Sequence, residues 1–274
     1  MLRFKVAFFL GKEGKMKIFN WDNKRQLAWQ IGLFLFFVGY IWFMMGWARA
    51  LIFVPLLVIH EMGHLWMMER FGIKVNGVYF TPFGAIAPAE FRSDFRSEAW
   101  IGIMGPLWGF GSAVLAFAVF YLFPHSLTCF AVMIAAFLNL FNLIPLLPMD
   151  GGRVARALTG SLSPRWSFWL FIFFTIIGFL LVLKLSWIIA LVVIFIGYGE
   201  LKMEFIRRRM LLRAKKYGLK SFAVDAELAP YLCREPLPRK DKAMLTLVFM
   251  ALIISLVAII VGTAVIAAAH NLVP

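Results

Sequence analysis

Four residues could carry most of the chemistry open to this sequence. His60, Glu61 and His64 fall within five consecutive positions, and Asp150 follows two prolines, Pro145 and Pro148, and precedes Gly151 and Gly152. Histidines at i and i+4 leave one helix face about 40° apart, given 3.6 residues per turn. Two imidazoles so placed can grip one zinc ion, and Glu61 can reach a water on that metal from the side and take its proton. A catalytic zinc uses three protein ligands and keeps one position open. Only two further histidines exist, His125 and His270, and both are expected at the other membrane face. An oxygen of Asp150 is therefore the candidate third ligand. The plainer readings are hydrogen-bonded interior histidines, and an aspartate capping the turn before Gly151 and Gly152.

These side chains need elements to hold them. Hydrophobic residues make up 62% of the 274 and charged residues 15%, well away from the balance of a water-soluble domain. Several runs of about 20 residues are nearly free of charge, enough to cross a hydrocarbon core as helix. No alternating strand pattern of a membrane barrel appears, and unpaired backbone is not tolerated in lipid, so the spans must be helical. The expected fold is an all-α polytopic membrane protein of about seven transmembrane helices. The predicted spans are 27–47, 50–68, 99–123, 126 to about 142, two within 165–200 that meet near Lys184 and Ser186, and 243–269. Between the second and third, residues 75–88 read as a short re-entrant β-hairpin or loop, because their glycines and prolines forbid a continuous helix. In domain terms this gives a basic cytoplasmic arm (1–26), a six-helix membrane core (27–200), a cytoplasmic basic segment (201–242), and a seventh helix with a short external C-terminus (243–274).

The net charge of +14 could suggest nucleic acid as a partner, but its distribution argues for topology instead. With this layout, 26 of the 28 Lys and Arg residues fall on one side of the membrane, leaving only Arg49 and Lys184 on the other. By the positive-inside rule that side is cytoplasmic. The N-terminus is then inside and the C-terminus outside, in a cell (inner) membrane, with the lipid bilayer as partner and no nucleic acid. Arg207, Arg208 and Arg209 read as a topology determinant, with lipid headgroups as the next reading. Glu61 and Asp150 are the acidic residues expected in or at the edge of apolar spans. They also share a depth, since the second and fourth spans both run from outside to inside.

Taken together, His60-Glu61 with His64, then Pro82-Phe83-Gly84, then Asn142, Pro145, Pro148 and Asp150-Gly151 resemble the site-2 protease family of intramembrane zinc metalloproteases, peptidase family M50. The resemblance covers roughly residues 48–200 and implies one Zn2+ per chain, held by His60, His64 and Asp150, with Glu61 as catalytic acid/base. It further implies that Pro82, Phe83 and Gly84 belong to a re-entrant segment that helps place substrate. Asn142 would orient the substrate backbone, though an asparagine there could simply satisfy freed backbone groups. The implied partner is a single-span transmembrane protein or peptide, cut in regulated intramembrane proteolysis or as a signal-peptide remnant. The competing readings are a catalytically silent substrate-binding relative, which an intact Glu61 argues against, and a metal transporter, which would offer ligands at several depths.

Overall fold

The computed structural model describes residues 23–73, 79–81, 84–86, 94–216 and 236–272. Most of the expected basic arm, residues 217–235 of the basic segment, and Pro82 and Phe83 lie outside them. In chain order the described elements are α1 (Lys24–Met45), α2 (Trp47–Arg70), β1 (Tyr79–Thr81), β2 (Gly84–Ile86), α3 (Phe95–Leu122), α4 (Ser126–Asn142), α5 (Asp150–Gly160), α6 (Pro164–Leu185), α7 (Trp187–Lys216) and α8 (Arg239–Ala269).

The helix ends follow from local chemistry. The Asn23 side chain accepts the Gln26 N–H at 3.2 Å and caps α1. Gly46 alone separates α1 from α2. Its φ of +83° lies in the region that disfavours residues bearing a Cβ. At the end of α2, Ile73 N–H bonds to Met68 O and Gly72 N–H to Glu69 O, with Gly72 at φ +65°. Those paired bonds form a Schellman stop. Asn271, at φ +52°, closes α8 by the same pair of bonds.

Among the described residues, five helices, α1, α2, α3, α6 and α8, are long and apolar enough to cross a membrane. At 17 residues, α4 is about 26 Å long, somewhat short of the ~30 Å hydrocarbon core. Large apolar side chains such as Phe43, Phe195 and Leu247 stand fully outward, as suits a surface bathed in lipid rather than water. The chain is an all-α polytopic membrane protein, and the described residues include a two-stranded antiparallel hairpin whose register pairs Tyr79 with Ile86 and Thr81 with Gly84.

The chain folds into two compact units, and helices α3, α4 and α8 contribute residues to both. In the first unit, Phe37 and Ile41 of α1 pack with Ala50, Leu57 and Leu65 of α2 and Leu138 of α4. A smaller cluster joins Phe120, Val132 and Ala267, and β1 lies along α1. In the second unit, Leu146 and Met149 of the α4–α5 loop pack with Val182 of α6 and with Ala190 and Val193 of α7. That loop is therefore core rather than surface.

The second of the two spans expected within residues 165–200 lies in α7, whose helix runs unbroken to Lys216. Its second half is charged but not uniformly solvated: Glu204, Arg207 and Arg208 are all buried. Arg207 and Arg208 thus meet protein groups, where lipid headgroups had been the second expectation after a topology determinant.

Candidate metal centre

Helix α2 carries the first half of the site. His60 and His64 are both buried, on the inner face that also holds Leu57 and Leu65. Their rings lie at 83° to one another with centroids 4.8 Å apart, and their Nε2 atoms are separated by 3.2 Å. Two nitrogens each about 2.05 Å from one tetrahedral zinc would stand roughly 3.3 Å apart, so the pair has the spacing of zinc ligands. Glu61, next to His60 in sequence, is half-buried.

Asp150 enters from α5. It is the first residue of that helix and is buried. The N-cap is Met149, which makes no side-chain capping bond, so Asp150 does not serve as the cap of this helix. The ligand atoms of His60, His64 and Asp150 all lie within 4.8 Å of one another. Two imidazoles and a carboxylate form a donor set suited to zinc.

The sequence around Asp150 explains how its backbone is held. A Cβ on Gly151 would run into the carbonyl of Leu143, and one on Gly152 into the Leu146 and Leu147 backbone. The two glycines let the Leu143–Leu147 loop fold back against the start of α5. Gly178 of α6 and Gly197 of α7 do the same from outside. A Cβ there would come within 2.7 Å of Leu146 Cβ or within 2.6 Å of Pro148 Cδ. On α3, Gly102 brings the helix backbone up to Asp150 itself, where an added Cβ would stand 3.2 Å from the Asp150 carbonyl oxygen. The Leu147–Pro148 peptide is cis.

Of the remaining expected residues, Asn142 is the last residue of α4 and is half-buried. Gly84 opens β2 opposite Thr81, while Pro82 and Phe83 lie outside the described residues. The buried partners of Arg207 and Arg208, and the ion pairs of Arg156, were not expected. Glu204 accepts from Arg207 Nη2 at 2.6 Å and from Arg208 Nε at 2.5 Å. Arg156 of α5 is ion-paired with Glu98 of α3 and, at 3.4 Å, with Glu200 of α7. Arg207 lies over the Phe95 ring and Arg208 over that of Phe171, with the Arg208 Cζ 4.5 Å from the ring centroid. Burial alone would raise the Glu204 carboxyl, but the Arg207 hydrogen bond and the Arg208, Arg207 and Arg156 charges outweigh it and hold the group at about 2. The available signal was the i, i+3, i+4 spacing of Glu204, Arg207 and Arg208 on one helix.

A bundle of apolar helices with a buried two-histidine, one-carboxylate cluster defines a polytopic membrane protein with a zinc-type centre. The sequence profile of peptidase family M50 matches residues 48–129 and 124–184, half of the chain. The chain belongs to peptidase family M50. It is 34% identical over 113 residues to a zinc metalloprotease of Methanocaldococcus jannaschii, covering 39% of this chain and 33% of the relative. Stage IV sporulation protein FB of Bacillus subtilis is 28% identical over 137 residues, covering 48% of this chain and 47% of that protein. The matches thus span between a third and a half of these relatives' length. A solved structure of the site-2 protease from Methanocaldococcus jannaschii aligns over 73% of this chain and 91% of its own, at 22% identity and a TM-score of 0.39.

Proposed function

We propose that this chain is an intramembrane zinc metalloendopeptidase that hydrolyses peptide bonds of transmembrane substrates. The observation that carries the reading is the buried grouping of His60, His64 and Asp150 within 4.8 Å, with both histidines on a helix long and apolar enough to span a bilayer. His60, His64 and Asp150 would hold one zinc per chain. When bound, zinc supplies a Lewis acid that activates water and polarises the scissile carbonyl.

The chain's own residues supply the rest. Glu61 accepts a proton from the attacking water and returns it to the leaving amine, acting as base and then as acid. Asn142 and the segment Pro82, Phe83 and Gly84 orient the substrate backbone. Burial of the two imidazoles limits solvent around the reacting groups, which strengthens each electrostatic interaction there.

The substrate class is a single-span transmembrane protein or peptide, such as a membrane-anchored regulator or a signal-peptide remnant. The location is a cell (inner) membrane with the N-terminus cytoplasmic and about seven crossings, which the one-sided distribution of Lys and Arg supports. The deciding experiment is Glu61→Gln in purified protein with a single-span substrate. Cleavage should vanish while zinc content is unchanged. Cleavage that survives the substitution contradicts the reading.

A further inference from the structure

The last turn of α5 contains no basic residue, yet two cations reach its C-terminal end from other helices. Arg208 of α7 donates from Nη2 to the Arg156 carbonyl oxygen at 2.9 Å. Its Nη1 reaches Thr159 Oγ1 at 2.9 Å, and also the carbonyl and hydroxyl oxygens of Ser167 in the first turn of α6, at 2.5 and 2.9 Å. Lys242 of α8 donates from Nζ to the carbonyl oxygen of Ser161, the C-cap residue, at 3.0 Å. Just before α8, the Leu237 N–H donates to Ser161 Oγ at 2.8 Å.

This set of bonds has a physical purpose. The C-terminal end of a helix carries partial negative charge that a cation there stabilises. Lys242 also pairs the Ser161 carbonyl, one of those left without an intrahelical donor, while Arg208 gives the Arg156 carbonyl a further donor and ties it to α6. Helix α5 has 11 residues and would be marginal without outside support. The direction of the Arg208 guanidinium is itself fixed, because its Nε donates to Glu204. Burial lowers the Arg208 pKa, but with Glu204 beside it the value stays at about 10, so the guanidinium is charged at neutral pH. Arg208 and Lys242 both lie beyond residue 184, where the match to the family profile ends.

We propose that Arg208, supported by Lys242, is a positioning residue that holds α5 helical from its C-terminal end and thereby fixes Asp150 at its first position. This inference rests on the reading of Asp150 as a zinc ligand. Arg208 acts on Asp150 through the helix, since its nearest α5 contact, the Arg156 carbonyl, lies six residues or about 9 Å along the axis from Asp150.

The test uses the full chain in detergent with Arg208→Lys, Lys242→Met and Lys242→Arg. Three quantities are read: amide exchange across residues 150–160 in the zinc-free protein, zinc affinity against a competing chelator, and cleavage at saturating zinc. Arg208→Lys keeps the charge but cannot bridge the α5 and α6 acceptors together. It should speed exchange in α5 ahead of other helices and weaken zinc binding about tenfold, as loss of supporting contacts around metal ligands does. Saturating zinc should recover most of the cleavage. Lys242→Met should shift both readouts less, in the same direction, and Lys242→Arg should match the wild type. If Arg208→Lys does not fold, Lys242→Met carries the test on the same readouts. Wild-type exchange and zinc affinity in the variants would overturn the proposal. So would exchange that rises equally in every helix, since that marks general destabilisation. A wild-type chain that binds no zinc would instead overturn the metal reading, and the proposal that rests on it.

Discussion

The backbone of Gly102 and the carbonyl oxygen of Asp150 approach so closely that a Cβ on Gly102 would stand 3.2 Å from that oxygen, with Arg153 Cβ at 3.4 Å and a Val154 methyl at 3.5 Å. Helix α3 thus backs directly onto the first turn of α5. Gly102→Ala should be tolerated with a shift of a few tenths of an ångström and a zinc affinity lowered severalfold. Gly102→Leu should push α5 away and cost about 1–3 kcal/mol as overpacking. Zinc titration and thermal unfolding of the two variants check the graded effect. Equal behaviour of both would contradict it.

The paired glycines make a sharper demand. An added Cβ on Gly151 or Gly152 meets backbone atoms of Leu143, Ile144, Leu146 or Leu147, and backbone cannot rotate away as a side chain can. Either alanine variant should lose about 3 kcal/mol or fail to accumulate folded. Alanine at Gly111, where no atom lies within 4 Å, should leave unfolding in detergent unchanged. Melting curves of the three variants side by side make the comparison.

Acid should act on the second unit through Glu204. Its folded carboxyl sits at about 2 against an ordinary value of 4.5. A lowered folded pKa stabilises above the unfolded value, and that contribution is lost as pH falls from about 4.5 through about 2. Wild-type stability, followed by circular dichroism in detergent, should therefore decline across that window. Glu204→Gln should flatten the decline. It should also destabilise at neutral pH by about 3–5 kcal/mol, because Arg207 and Arg208 keep their charges without a buried counter-ion. A variant as stable as the wild type at neutral pH would show that the charges have escaped to solvent.

The sequence made the grouping of His60, His64 and Asp150 legible where a short spacing encodes geometry. His60 and His64 needed only the pitch of one helix, and Asp150 only an argument about shared depth. The hairpin after α2 was readable from the glycines and prolines of residues 75–88, and its pairing appears between β1 and β2. The supports of Asp150 were not readable. Gly102, Gly178 and Gly197 matter because of which backbone comes to rest against them, and no single-chain pattern gives that. In sequence Arg207 and Arg208 read as a topology determinant, and their second part, as partners of Glu204 and the α5 terminus, shows only in the fold. The helical continuation of α7 beyond residue 200 was not readable for the same reason, since its buried charges find their partners on other elements.

One ion shared by two imidazoles and one carboxylate is the centre of the proposed function. Zinc K-edge X-ray absorption on the Glu61→Gln protein, with and without Asp150→Ala, reads that shell directly. The predicted spectrum has two imidazole nitrogens with the remaining ligands oxygen, and Asp150→Ala should lower both the oxygen count and zinc retention. A shell containing sulfur or a third imidazole, or a spectrum and zinc content untouched by Asp150→Ala, would contradict it.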